Sequence, residues 1–313
     1  MWNRNWLREF FAKASPETRK TEVPDDAGAF PLAFDPDFYR AQYSDLPRMS
    51  DSALREHYEK RGRLEGRIAT SAVPRDNFIK LVPDNSVLEI GPFVNPVTRG
   101  PKVKYFDLMS RDELIERANR TGIAAEKAPE AIDFVSPRGD LSIVDRKFFT
   151  VISSHCIEHQ PDMLRHLRQV EDILEDGGCY FLLIPDKRYC FDHFLPESTI
   201  ADIIEAYREG RTVHTLANVI KCIALTAHND PAKYWGGNPG ERPLDPKRIE
   251  AAIRAYDDAK GNYIDVHSLY FTPASFRDIM ATLFELGLTR LKPERVYDTP
   301  MHWNEFCAIL RKV

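Results

Sequence analysis

The chain has 313 residues, with 43 Lys and Arg against 48 Asp and Glu, a formal charge of −5, and 43% hydrophobic residues. That length fits about two domains, and the apolar content is that of a packed protein, not a disordered or low-complexity one. The mildly acidic balance argues against a protein built to neutralise phosphate backbones, so no nucleic-acid partner is expected.

The N-terminal stretch mixes Trp2, Trp6, Leu7, Phe10 and Phe11 with Arg4, Arg8, Lys13, Arg19 and Lys20. It lacks an apolar core and a small-residue cleavage site, so it is not a secretory signal. Its spacing fits a short helix, packed on its own chain or lying against a membrane surface or a partner. A linker rich in Pro, Asp and Gly follows, so 1–33 reads as N-terminal helix and linker. The next segment, 34–70, reads as a small helical module. Asp35 and Pro36 open one helix, Pro47 breaks the pattern, Ser50 or Asp51 caps a second, and Gly62 and Gly66 close it. A segment of that size cannot bury a core alone and is expected to dock on something.

From Asn85 onward strands and helices alternate. SVLEI (86–90), VKYFDL (103–108), FFTVISS (148–154) and CYFLLIP (179–185) read as strands, the later ones apolar enough to be buried on both faces. DELIERANR (112–120) and the stretch from Asp162 to Glu175 read as helices, the second stopped by Gly177 and Gly178. PASFRDIMATLFELGL (273–288) is an amphipathic helix closed by Gly287. RLKPERV and EFCAILR are two terminal strands. The helical, polar stretch at about 196–262 sits where an insertion covering a ligand would sit. No run of about 18 apolar residues occurs, so no transmembrane segment is expected. Five scattered cysteines without a C-x-x-C suit reduced thiols in a cytoplasmic protein.

In an open α/β sheet, ligands bind beyond the carboxyl ends of the strands. The first strand ends in Glu89-Ile90-Gly91-Pro92-Phe93-Val94-Asn95-Pro96. This is not a G-x-G-x-x-G turn, because Phe93 and Pro96 stand at the second and third glycine positions, which disfavours a dinucleotide pyrophosphate. The second strand ends at Asp107, at a spacing from Glu89 that suits a carboxylate accepting both hydroxyls of a ribose. The third runs into His155-Cys156-Ile157-Glu158-His159. This is formally an inverted zincin motif, but Pro161 leaves room for only about one helical turn, so a metalloprotease is not expected.

The motifs VLEIGPFVNP, KYFDL, Gly139-Asp140-Leu141, FTVISSHCIEHQPD, LEDGGCYFLLIPDKRYCFDHF and DVHSLYFTPASFRDIM resemble class I S-adenosylmethionine-dependent methyltransferases. Among these, the chain looks most like a branch found in bacterial surface-glycan biosynthesis. Phe34 to Arg67 separately resembles a helical module found beside glycosyltransferases. The resemblance implies an α/β, Rossmann-like, seven-stranded, mostly parallel sheet with helices on both faces, spanning 71–313. It implies S-adenosyl-L-methionine held by Glu89, Gly91, Pro92, Asn95, Asp107, Leu108, Asp140, Leu141 and His155. It departs from the family at Phe93, where many members carry a second glycine.

Methyl transfer to a sugar hydroxyl needs a base or a metal. The chain offers His159 first, then His155, Asp186, His193 and His267. A divalent metal is admitted but not expected. The expected activity is O-methylation of a sugar or surface-glycan precursor, with a glycosyltransferase as a conceivable partner. Two rivals stand: a nicotinamide-dependent oxidoreductase, and a methyltransferase fold without turnover that docks a glycosyltransferase.

Overall fold

The computed structural model describes residues 30–46 and 48–313. The helix expected near the N-terminus and most of the linker lie outside the described residues. Seven strands form one sheet: β1 (Val87–Ile90), β2 (Val103–Asp107), β3 (Phe134–Val135), β4 (Phe148–Ser154), β5 (Leu174–Pro185), β6 (Leu291–Tyr297) and β7 (Glu305–Lys312). Their spatial order is β3-β2-β1-β4-β5-β7-β6. β1 to β5 are mutually parallel, and β7 runs antiparallel to both of its neighbours, β5 and β6. This is the Rossmann-like, seven-stranded, mostly parallel sheet that the resemblance implies.

Two expectations change in detail. β3 is only two residues long and escapes a periodicity reading. β5 starts at Leu174, directly after the helix Met163–Ile173, so the glycine pair does not stop that helix. Gly178 lies inside the strand, where an added Cβ would stand 2.8 Å from the Phe149 carbonyl oxygen. Gly178 thus permits a close strand approach at a register shift opposite Phe148 and Thr150.

Both faces of the sheet are covered. On one face Leu88, Ile90, Val151, Tyr180 and Leu182 meet Leu164 and Leu167 of the helix Met163–Ile173, and Phe276 and Leu283 of the helix Pro273–Glu285. On the other, Val87, Ile152, Phe181, Leu183 and Ile309 meet Phe78 of a short helix (Arg75–Ile79) together with Phe30, Ala33 and Ile68. In chain order the helices are α1 (Pro36–Gln42), α2 (Asp51–His57), α3 (Arg75–Ile79), α4 (Arg111–Thr121), α5 (Met163–Ile173), α6 (Ile200–Glu209), α7 (Leu216–Ala224), α8 (Pro231–Trp235), α9 (Pro246–Ala259) and α10 (Pro273–Glu285). Between β1 and β2 the chain runs as a loop with no helix.

The N-terminal module folds around Phe34, Tyr39, Leu46, Leu54, Tyr58 and Ala69. Asp35 accepts from the Asp37 and Phe38 amides to cap α1, and Ser50 accepts from the Ala53 amide to cap α2. The module lies against the chain that follows β6. The Tyr58 hydroxyl and Arg63 Nε donate to Asp298 at 2.8 and 2.6 Å, and the Met301 amide donates to the Gly66 carbonyl at 2.9 Å. Gly66 has φ +64°, and a Cβ there would lie 2.7 Å from Met301 N, so only glycine fits this crossing. Helices α6 to α9 fill the region read as an insertion, and its flanks reach the carboxyl end of the sheet.

Candidate functional site

A cavity of about 300 Å³ opens beyond the carboxyl ends of β1, β2 and β4. That is within the range of small-molecule pockets. Its walls include Gly91 and Phe93 from the β1 loop and Asp107, Leu108 and Met109 from the end of β2. Arg138, Gly139 and Leu141 line it before β4, and His155, Cys156 and His159 after it. Thr212 comes from the helical insertion, between α6 and α7, and Tyr263 and Asp265 from just after it.

Asp107 is 8% exposed. Its Oδ1 accepts from the Leu108 amide at 2.7 Å, while Oδ2 has only a long 3.4 Å contact from the Phe93 amide. Burial raises its pKa against the pull of those backbone donors. A buried carboxylate with spare acceptor capacity, set in a mostly apolar wall, calls for a ligand that donates hydrogen bonds.

Gly91 turns the chain at φ +71°, and Phe93 adopts φ +48°. The position where the resemblance calls for glycine therefore keeps glycine's backbone conformation while carrying an aromatic ring. For a residue with a Cβ this costs about 1–2 kcal/mol. His155, at the tip of β4, is a second non-glycine residue in this region, at φ +52°. Such conformations persist where the surroundings over-determine them, often at functional sites.

Several residues assigned to the cofactor lie elsewhere. Glu89 does not line the cavity. Its oxygens accept from the Val97 amide at 2.7 Å, the Thr98 amide at 2.8 Å and the Thr98 hydroxyl at 2.6 Å. It therefore pins the helix-free β1–β2 loop and acts on the site only through it, although burial raises its pKa. Pro92 and Asn95 belong to the same loop but are not wall residues. Asp140 is not a wall residue and accepts from the Ser142 amide at 3.0 Å and from Gln169 Nε2 at 2.7 Å. Gly91, Asp107, Leu108, Leu141 and His155 do face the cavity.

The candidate bases also separate. Asp186 is fully buried, paired with Arg188 at 2.6 Å and accepting from Thr299 at 2.7 Å, so it is a structural anchor. His193 donates Nδ1–H to the Arg188 carbonyl at 2.6 Å and stacks on Tyr234, away from the cavity. His267 is buried behind the wall, with Nδ1 at 2.6 Å from Asp192.

His155 and His159 remain in the wall, each backed by a carboxylate. His155 Nε2 lies 2.8 Å from Glu305, which Arg75 also contacts at 2.6 Å. His159 Nδ1 lies 2.9 Å from Asp265 Oδ1, an ion-pair contact without a hydrogen bond. Asp265 is in turn clamped by Arg117. Burial lowers both imidazole pKa values, but the neighbouring carboxylates outweigh it and raise them. Burial also raises the Cys156 thiol, which lines the cavity in its neutral form. Arg117, Arg138, Tyr263 and Thr212 are wall residues with no sequence motif of their own.

No family profile and no curated protein matches the chain. Solved structures similar to it include the glycopeptide N-methyltransferase MtfA, at 22% identity and a TM-score of 0.27 over 36% of this chain. That alignment spans about half of the MtfA chain, 52%. The DhpI–SAH complex aligns at 15% identity and a TM-score of 0.37 over 88% of this chain and 94% of its own. A SAM-dependent methyltransferase from Aquifex aeolicus aligns at 10% identity and a TM-score of 0.37 over 85% and 100%.

Proposed function

We propose that the chain transfers a methyl group from S-adenosylmethionine to a hydroxyl of a sugar or surface-glycan precursor. The observation that carries this reading is the convergence of Asp107, the Gly91 turn and a wall of carboxylate-backed histidines on one cavity. The residues fit the donor. Asp107 has acceptor capacity for ribose hydroxyls, and Leu108, Met109 and Leu141 give an apolar surface for a base. The bound donor supplies an activated methyl on a sulfonium.

The protein's own task is to place the acceptor oxygen in line with that methyl and to take its proton. With the donor held there, the acceptor oxygen would take its methyl and the donor would be left as a neutral thioether. The hydroxyl proton goes to the imidazole–carboxylate wall. The sugar class rests on the sequence resemblance, including that of the N-terminal module. That module also makes a glycosyltransferase a fitting partner, and a cytoplasmic location suits the donor.

Calorimetry tests the donor site. S-adenosylmethionine or its demethylated product should bind, and Asp107→Ala should weaken binding by about 1.5–3 kcal/mol, the scale of hydrogen bonds to a charged group. His159→Ala should lower kcat by about 10²–10⁴ with donor affinity little changed. A folded protein that binds neither compound refutes the reading. A screen of sugar nucleotides and glycans with labelled donor identifies the acceptor.

A further inference from the structure

Behind the cavity wall, Glu158 is fully buried and neither carboxylate oxygen has a hydrogen-bond partner. An orphaned buried carboxylate is costly, so its surroundings need an explanation. Its Oε1 lies 3.7 Å from His159 Nε2 and 3.7 Å from His267 Nε2. These distances are too long for hydrogen bonds. The two rings meet edge to face, with centroids 4.5 Å apart. On the far side of each ring, Nδ1 faces a carboxylate: Asp192 hydrogen-bonds that of His267 at 2.6 Å, and Asp265 lies 2.9 Å from that of His159 as an ion-pair contact. A carboxylate behind an imidazole, with the opposite nitrogen turned inward, is the arrangement that orients metal-binding histidines.

We infer that Glu158, His159 and His267 bind a divalent transition-metal ion of the zinc class. Their ligand atoms lie within 4.8 Å of one another. Bonds of about 2.0–2.2 Å in tetrahedral geometry would bring such atoms to about 3.3 Å, a closure of a few tenths of an ångström for each Glu158 contact. The charges agree. Three acidic side chains, Glu158, Asp192 and Asp265, meet here, faced by Arg117 at Asp265 and by His155, whose Nδ1 lies 3.8 Å from the same Glu158 oxygen, so the cluster is rich in acid. Two imidazole nitrogens select zinc, cobalt, manganese or iron over magnesium and calcium, which take oxygen ligands.

Three protein ligands leave a position for an outside oxygen, as catalytic sites do. His159 is shared between this cluster and the cavity. The inference thus deepens the methyltransferase reading, because an ion there would acidify an acceptor hydroxyl. Ion binding itself does not depend on that reading.

The test titrates Zn²⁺ calorimetrically into the chelator-stripped full chain. One site per chain is expected. Glu158→Gln and His267→Ala should each weaken it at least tenfold, and Asp192→Asn by about 10–100-fold. Cobalt loading should give visible absorption bands that Glu158→Gln abolishes, while His302→Ala, at an exposed position, should bind as wild type. Glu158→Gln is nearly isosteric, and circular dichroism checks that it folds. Absence of stoichiometric binding, or wild-type affinity in folded Glu158→Gln, overturns the inference. Donor binding is measured on the same stripped protein. Donor binding without ion binding overturns the metal site alone. Ion binding without donor binding overturns the methyltransferase reading and leaves the metal site standing.

Discussion

At the scale of single residues, burial changes what a side chain can do. His166 is 3% exposed, with Nε2 at 3.1 Å from the Tyr180 hydroxyl. Burial, helped by the neighbouring Arg165 charge, depresses its pKa from 6.5 to about 4. Between those values the unfolded chain binds a proton that the folded chain refuses. The stability that this neutral imidazole preserves is therefore full above pH 6.5 and is lost as pH falls toward 4, by up to about 3 kcal/mol. Urea unfolding from pH 7 to pH 4 should show wild type losing more stability than His166→Gln, and parallel curves would refute this. Glu89 offers a second case. Glu89→Gln keeps the shape but removes the charge that three donors share, so the β1–β2 loop should loosen at a cost of about 1–3 kcal/mol. Thermal unfolding would read that cost, and donor affinity should fall although Glu89 does not touch the cavity. The sequence shows Gly91, Asp107 and His155 because they stand at strand ends. It does not show Arg117, whose partner Asp265 is 148 residues away, because no local pattern encodes such a pairing.

At the scale of elements, legibility follows length and context. β4, β5 and β7 are long apolar runs buried on both faces and can be read directly, whereas β3 has too few residues for any period to show. The role of Glu89 is hidden for a related reason. Where strand β1 would lead into a helix, Pro92 and Pro96 keep the chain irregular, and a side chain must hold what helix hydrogen bonds would otherwise hold. The helical module illustrates how one crossing can fix an element. Gly66→Ala adds a Cβ at positive φ against the Met301 backbone, so it should cost at least about 1 kcal/mol. Limited proteolysis should then cut between the module and α3 faster than in wild type. Unchanged proteolysis and melting temperature would show that the crossing does not anchor the module.

At the scale of the whole molecule, the module and the sheet share more than a surface contact. Phe30 meets Phe181 of β5 edge-on at 5.5 Å, and Ala33, Ala72 and Val73 join the same apolar cluster, so the chain on both sides of the module covers one face of the sheet. Phe30→Ala should therefore lower stability by about 1–2 kcal/mol, and a chain beginning at residue 71 should melt lower and aggregate on size-exclusion chromatography. A monodisperse truncated chain with wild-type melting would refute that dependence. The place of β7 carries a different consequence. It is the last strand in the chain, yet it lies between β5 and β6. Until residues 305–312 have left the ribosome, β5, whose second half is apolar and buried, has an open edge and β6 lacks its partner. Closing the sheet is then an insertion rather than an addition at a rim, a late step built on contacts far apart in sequence. During synthesis β5 spends that interval exposed to other nascent chains, and a chaperone that shields apolar edges would be needed most until β7 emerges.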